Sequence, residues 1–163
     1  MRLVDIMLGE YTQEAAQTRK VLERVPIEKG EWKPHEKSMS LSFLAGHVAD
    51  LASWTPMVLT TTELNFESGY AQPTFTSTEE LLAIFDKNVE AGKQALAAAK
   101  DEDLPVNWTL RAGEQVYFTM PRGQCIRGMC FNHVVHHRGQ LTVYLRLLGV
   151  PVPGMYGPSA DEM

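Results

Sequence analysis

Apolar residues recur at helical spacing in four stretches of the chain. Across residues 2–24, Leu3, Met7, Tyr11, Ala15, Thr18, Leu22 and Val25 fall near one stripe, which predicts a first helix that Pro26 stops. The segment PIEKGEWKPHEKSMS is loop by composition. A second helix is expected from 41 to about 62, with Ser40 as its N-cap. After a polar stretch bearing Gly and Pro, Ser77 and Glu80 form a capping box for a third helix that runs to about Lys100. Its stripe is Leu81, Phe85, Val89, Gly92 and Leu96. Between Asp103 and Arg122 the pattern changes: VNWTLRAGEQVYFTM holds two short β-prone runs around Ala112-Gly113, which predicts a hairpin. A fourth helix is expected over about 122–148, stopped by Gly149 and Pro151, and the tail VPVPGMYGPSADEM reads as irregular. No repeat or linker divides the chain. The expectation is one domain over residues 1–163, an all-α antiparallel four-helix bundle with a small β-hairpin before the last helix.

Composition narrows the functional classes. The chain has 163 residues, 44 % hydrophobic and 21 % charged, as in ordinary globular domains. A net charge of −5 argues against a general nucleic-acid binder, which needs a basic surface to displace counterions. No apolar run is long enough for a membrane helix, and the N-terminus lacks the apolar stretch of a signal peptide, so a cytoplasmic location is the expectation. Cys125 and Cys130 lie about 140° apart on an ideal helix, too divergent to bridge, and read as small buried thiols.

The chemistry lies in FNHVVHHRGQ. On an ideal wheel His133 and His137 sit one turn apart inside the apolar stripe with Ile126, Cys130, Tyr144 and Leu148. His136 falls at the stripe's edge, and Arg138, Thr142 and Arg146 fall on the opposite, wet face. On the second helix, His47 is centred among Phe43, Leu44, Leu51, Trp54 and Val58. One inward imidazole is usually a core residue bonded to a carbonyl or hydroxyl. Three are costly to bury unpartnered, and one divalent ion would satisfy several ring nitrogens at once. The i, i+4 spacing of His133 and His137 suits chelation from one helix, with His47 as the third ligand. His136 is the competing ligand, through an i, i+3 pair, and Cys130 is a possible fourth that would close the site. His35, in a charged loop beside Glu36 and Lys37, reads as solvent-exposed.

With these residues in view, the chain resembles the DinB/YfiT-like family. The resemblance rests on LAGHVAD, on NHVVHHRGQLTVYLRLLGVPVP and on the four-helix layout between them, and it spans essentially the whole length. It implies an up-down-down-up bundle with a long crossover between the second and third helices. It also implies a divalent ion, nickel or zinc, held by His47, His133 and His137, and a homodimer. Some relatives in the wider superfamily transfer low-molecular-weight thiols or isomerise small acids with a thiol cofactor.

Three neutral imidazoles would leave an ion its full charge and positions for water or substrate. That allows either hydrolysis or thiol transfer to a small molecule. No catalytic residue is assigned. Asp50 and Glu14 are candidate bases, Asp50 with an exposed or capping role as its alternative. Gln140 could meet a substrate or a neighbouring helix, and Tyr144 reads as core. Trp32, Trp54 and Trp108 read as packing with their ring nitrogens partnered. The alternatives are a non-catalytic metal or small-ligand binder of the stress-response type, and an interaction protein whose histidines merely pack.

Overall fold

Every helix expected from the apolar pattern forms, but two of them form in pieces. The computed structural model describes residues 1–163. Helix α1 spans Leu3–Leu22. The second helix is broken into α2, Leu41–Leu51, and α3, Trp54–Thr60. Helix α4 spans Thr78–Ala98. The last helix opens with one short turn, α5, Arg122–Cys125, widens into a π-helical segment, Ile126–Asn132, and ends as α6, His133–Leu147. The break before α3 has a physical reason. Pro56 would remove a hydrogen bond from the interior of one long helix, whereas in the first turn of α3 its missing N–H has no partner to lose.

The caps follow the sequence in part. Ser40 Oγ accepts from the Phe43 N–H at 3.3 Å, and Ser77 Oγ accepts from the Glu80 N–H at 3.2 Å. The Glu80 carboxylate reaches one residue further back than a capping box requires, accepting from the backbone and hydroxyl of Thr76. Helix α1 has no side-chain cap of its own. The Asp101 carboxylate supplies one from the far end of α4, accepting from the Leu3 and Val4 N–H groups at 3.0 Å.

Cross-helix contacts define the bundle. Asp101 at the start of α1 and the Arg19–Asp86 ion pair run α1 antiparallel to α4. Arg127 pairs with Glu10, and Arg138 reaches Glu14 and Thr18, so α1 and α6 run parallel. Tyr144 donates to the Met39 carbonyl while His47 meets His137, so α2 and α6 are antiparallel. Helix α1 packs on α4 and α6, and α2 lies between α4 and α6. This is the up-down-down-up order, with residues 61–77 as the crossover.

The predicted hairpin is β2, Asn107–Ala112, paired antiparallel to β3, Gln115–Pro121, with Gly113 at φ 55° in the turn. A third strand was not expected: β1, Glu63–Asn65, leaves the crossover and pairs parallel to β2. Arg111 holds it with two bonds to the Glu63 carboxylate, at 2.9 and 2.5 Å. Trp108 faces inward with no exposure and donates to Thr61 Oγ1 at 3.0 Å, which fixes the sheet to the end of α3.

All five expected stripe residues of α4 are buried. On α1, Val4 takes the place assigned to Leu3, which is exposed. Gly92 makes room for Tyr11, whose hydroxyl donates to the Ala52 carbonyl at 2.9 Å; a Cβ at 92 would lie 2.2 Å from that oxygen and 2.5 Å from the ring. Gly92→Ala is therefore expected to destabilise, although alanine favours helix by about 1 kcal/mol. The rigid ring must shift, an overpacking cost of about 1–3 kcal/mol, readable as a lower thermal midpoint.

The C-terminal tail is irregular but pinned. Asp161 accepts two bonds from Arg146, at 2.9 and 2.6 Å, and one from the Val152 N–H. These donors hold the Asp161 carboxyl down at about 2, the Arg146 guanidinium first among them. Glu162 accepts from the Gly154 and Ser159 N–H groups. The tail thus folds back on α6 and brings Tyr156 to Glu14 and Arg138.

Candidate metal centre

Helices α2 and α6 bring three imidazoles together. One ligand nitrogen from each of His47, His133 and His137 lies within 4.8 Å of the others. The ring centroids are 5.2 Å apart for His47 and His133 and 4.7 Å for each of the other two pairs. His137 is buried, while His47 and His133 are half-buried. On α2 the wheel put the core centre too close to His47. The fully buried line is Leu41, Leu44, Val48 and Leu51, and Phe43 is 51 % exposed. His47 therefore stands at the edge of the core, half-buried.

Hydrogen bonds set two of the three tautomers. His137 Nδ1 lies 2.7 Å from Gln140 Oε1, and His133 Nδ1 lies 3.3 Å from the Met129 carbonyl. Both partners only accept, so each Nδ1 carries the proton and each Nε2 keeps a free lone pair. A ligating histidine is commonly held by such outer partners. Neither ring nitrogen of His47 has a hydrogen-bond partner in the protein; its ring stands edge-on to the other two imidazoles.

Burial and mutual repulsion keep the rings neutral. Desolvation, then the charges His137 and His133 would carry, push His47 down to about 4. His133 and His137 are also lowered, desolvation again leading. Between pH 6.5 and about 4 the unfolded chain binds more protons at these sites than the folded one. Stability of the metal-free protein is therefore expected to fall as the pH drops through that window. Thermal melts of wild type and His47→Gln test this, the variant showing the shallower fall.

The donor set fits a divalent ion. Three neutral imidazoles with inward lone pairs form a borderline-soft nitrogen set of the kind zinc and nickel take. A tetrahedral ion at about 2.0–2.1 Å holds its nitrogens roughly 3.4 Å apart, and the three ligand nitrogens here lie within 4.8 Å of one another.

Other candidates lie elsewhere. His136 is exposed and bonds through Nε2 to Gln140 at 3.2 Å, on the outside of the trio. Cys130 is no part of the trio; it is buried in the bundle core, where desolvation raises its thiol, and Cys125 is pushed up to about 11. Asp50 is not exposed. It is buried against Tyr70, Trp54 and Ser53, accepting from the Tyr70 hydroxyl and from the Trp54 ring N–H at 3.3 Å. Glu14 is paired with Arg138 at 2.7 Å. His35 is exposed, as expected, and Tyr144 is core with its hydroxyl on the Met39 carbonyl. Trp32 packs edge-on against Tyr144.

Two features escaped the sequence reading. Trp54 packs edge-on against His133, with ring centroids 6.2 Å apart, and ties that imidazole to Asp50 and Tyr70. Arg138, expected on the wet face, is 2 % exposed and bonds to the Glu14 carbonyl, Thr18 Oγ1 and Tyr156. The buried face of α6 runs through His137, Arg138, Leu141, Tyr144 and Leu145, so it includes His137 and Tyr144 of the expected stripe but turns toward Arg138.

Fold and site together define a class: a four-helix bundle with a half-buried cluster of three histidines that could hold a metal ion. A family model described as the DinB family matches residues 3–163, and the chain belongs to that family. It is 27 % identical over 160 residues to YrdA of Bacillus subtilis (strain 168), described as uncharacterized, covering 98 % of this chain and 91 % of the relative. Among solved structures, a DinB-like protein from Bacillus cereus ATCC 10987 superposes with a TM-score of 0.67 at 25 % identity, covering 91 % of this chain and 95 % of that one. A DinB-like protein of Bacillus subtilis, YjoA, superposes with a TM-score of 0.69 at 18 % identity, covering 88 % and 94 %. No helix is long and apolar enough to cross a membrane.

Proposed function

We propose that His47, His133 and His137 bind a divalent metal ion, nickel or zinc, and that the protein acts there on a small molecule, by thiol transfer rather than hydrolysis. The observation that carries the reading is the convergence of three neutral imidazoles from two helices, one of them with no other partner. Base-assisted hydrolysis needs a carboxylate or imidazole free to take a proton from water. Asp50 is occupied by Trp54 and Tyr70, Glu14 by Arg138 and Tyr156, and the exposed His136 is held by Gln140 through Nε2. An ion bound at the trio would supply the charge that stabilises a substrate thiolate without a protein base. The chain's part is to hold three lone pairs on one point and to keep the rings uncharged. Homodimer formation belongs to the same proposal, with Val143 and Leu147, 56 % and 59 % exposed on α6, as apolar surface that a second copy would cover.

The engagement of Asp50, Glu14 and His136 in hydrogen bonds of their own also favours a second reading, a non-catalytic metal binder. Metal analysis of protein purified without an affinity tag separates packing histidines from a metal site: about one ion per chain is expected in wild type, and almost none in His47→Ala. A thiol-transfer assay on the loaded protein then divides the two metal readings. Turnover that disappears in His47→Ala supports the enzyme, and a loaded but inert protein supports the binder.

A further inference from the structure

We propose that Gln140 is a positioning residue that fixes the tautomer of His137 and so aims its Nε2 lone pair at the common point. This rests on the metal reading above. The Gln140 amide is engaged at both ends: Oε1 lies 2.7 Å from His137 Nδ1, and Nε2 lies 3.2 Å from His136 Nε2. The three residues occupy i, i+1 and i+4 of one helix, so the amide lies over both imidazoles one turn back.

The two ends of an amide are not equivalent. The oxygen only accepts and the NH2 group only donates. With Oε1 on His137, Nδ1 must carry the ring proton, and Nε2 is left free. With NH2 on His136, that nitrogen must be unprotonated. Turning the amide over would bring NH2 against His137 Nδ1. The proton would then have to sit on Nε2, where it would block a ligand bond. One arrangement satisfies both contacts together: Oε1 accepting from His137 Nδ1–H, and NH2 donating to His136 Nε2. His136, the other imidazole of the HH pair, thus meets the amide's NH2 and is not a ligand.

His136 and Gln140 are both exposed, so core packing gives no reason for either. His133 needs no such device, because the Met129 carbonyl can only accept. The three ligands are therefore set by different means: a backbone carbonyl for His133, a side-chain amide for His137 and nothing for His47.

The test uses the full chain labelled with 15N-histidine, with zinc ion as the probe. In metal-free wild type, His137 is expected to show the Nδ1–H tautomer. Gln140→Leu should convert it to a mixture and weaken zinc binding by about 10–100-fold, measured by competition with a chromophoric chelator. Gln140→Glu keeps an acceptor facing Nδ1 and should restore both the tautomer and most of the affinity. An unchanged His137 tautomer in Gln140→Leu overturns the proposal, as does unchanged zinc affinity. If wild type binds no zinc, the metal reading fails by itself, and the tautomer in the metal-free chain still decides the role of Gln140.

Discussion

At zinc about a hundredfold above its dissociation constant, the protein is expected to melt about 5–11 °C higher than without metal, and His47→Ala should abolish the gain. A ligand that binds only the folded state at that excess stabilises by about 2.7 kcal/mol. For a chain of this size each kcal/mol moves the midpoint by roughly 2–4 °C. His47 is the residue to remove, because its imidazole has no other partner in the protein. Without metal the sign reverses. A half-buried, unpartnered imidazole beside two others opposes folding, so metal-free His47→Leu should melt at or above metal-free wild type. A residue present only for packing would give the opposite order: a lower midpoint for the variant, and no response of wild type to zinc or chelator.

Arg138→Met is expected to be the most destabilising substitution outside the trio. Arg138 is 2 % exposed and pairs at 2.7 Å with Glu14, itself only 15 % exposed. Removing one partner of a buried pair costs about 3–5 kcal/mol, chiefly by stranding the other charge. The thermal midpoint should fall by roughly 6–20 °C. The same guanidinium also donates to Tyr156 at 2.6 Å, so the tail should loosen as well, giving faster proteolysis after residue 150. Adding Glu14→Met removes the stranded carboxylate and should restore part of the loss. A single variant that melts like wild type would show that the pair contributes nothing, and a double variant no better than the single would place the cost in packing.

The caps and stripes that made the four helices legible are local. Ser40, Ser77 and the α4 stripe act within a few residues of chain. The trio was legible for the same reason on α6, where His133 and His137 are one turn apart, and His47 needed only an inward helical position. What was hidden depends on distant partners. Nothing near Arg138 announces Glu14, which lies 124 positions earlier. Residues 63–65 are a strand only because β2 and Arg111 lie alongside. Asp50 reads as surface until Trp54 and Tyr70 close over it. The helix break had a local signal, Pro56, which the apolar pattern around it obscured.

The π-helical segment has a consequence for how this chain tolerates change in length. An α-helix cannot gain or lose one residue without turning everything beyond by about 100°. A wide turn absorbs such a residue where it stands. Ile126 and Cys130 can therefore keep their place in the core while, past Asn132, the histidines hold theirs. The hairpin end of the last helix and its imidazole end are thus phased separately, joined through the Met129 carbonyl that holds His133.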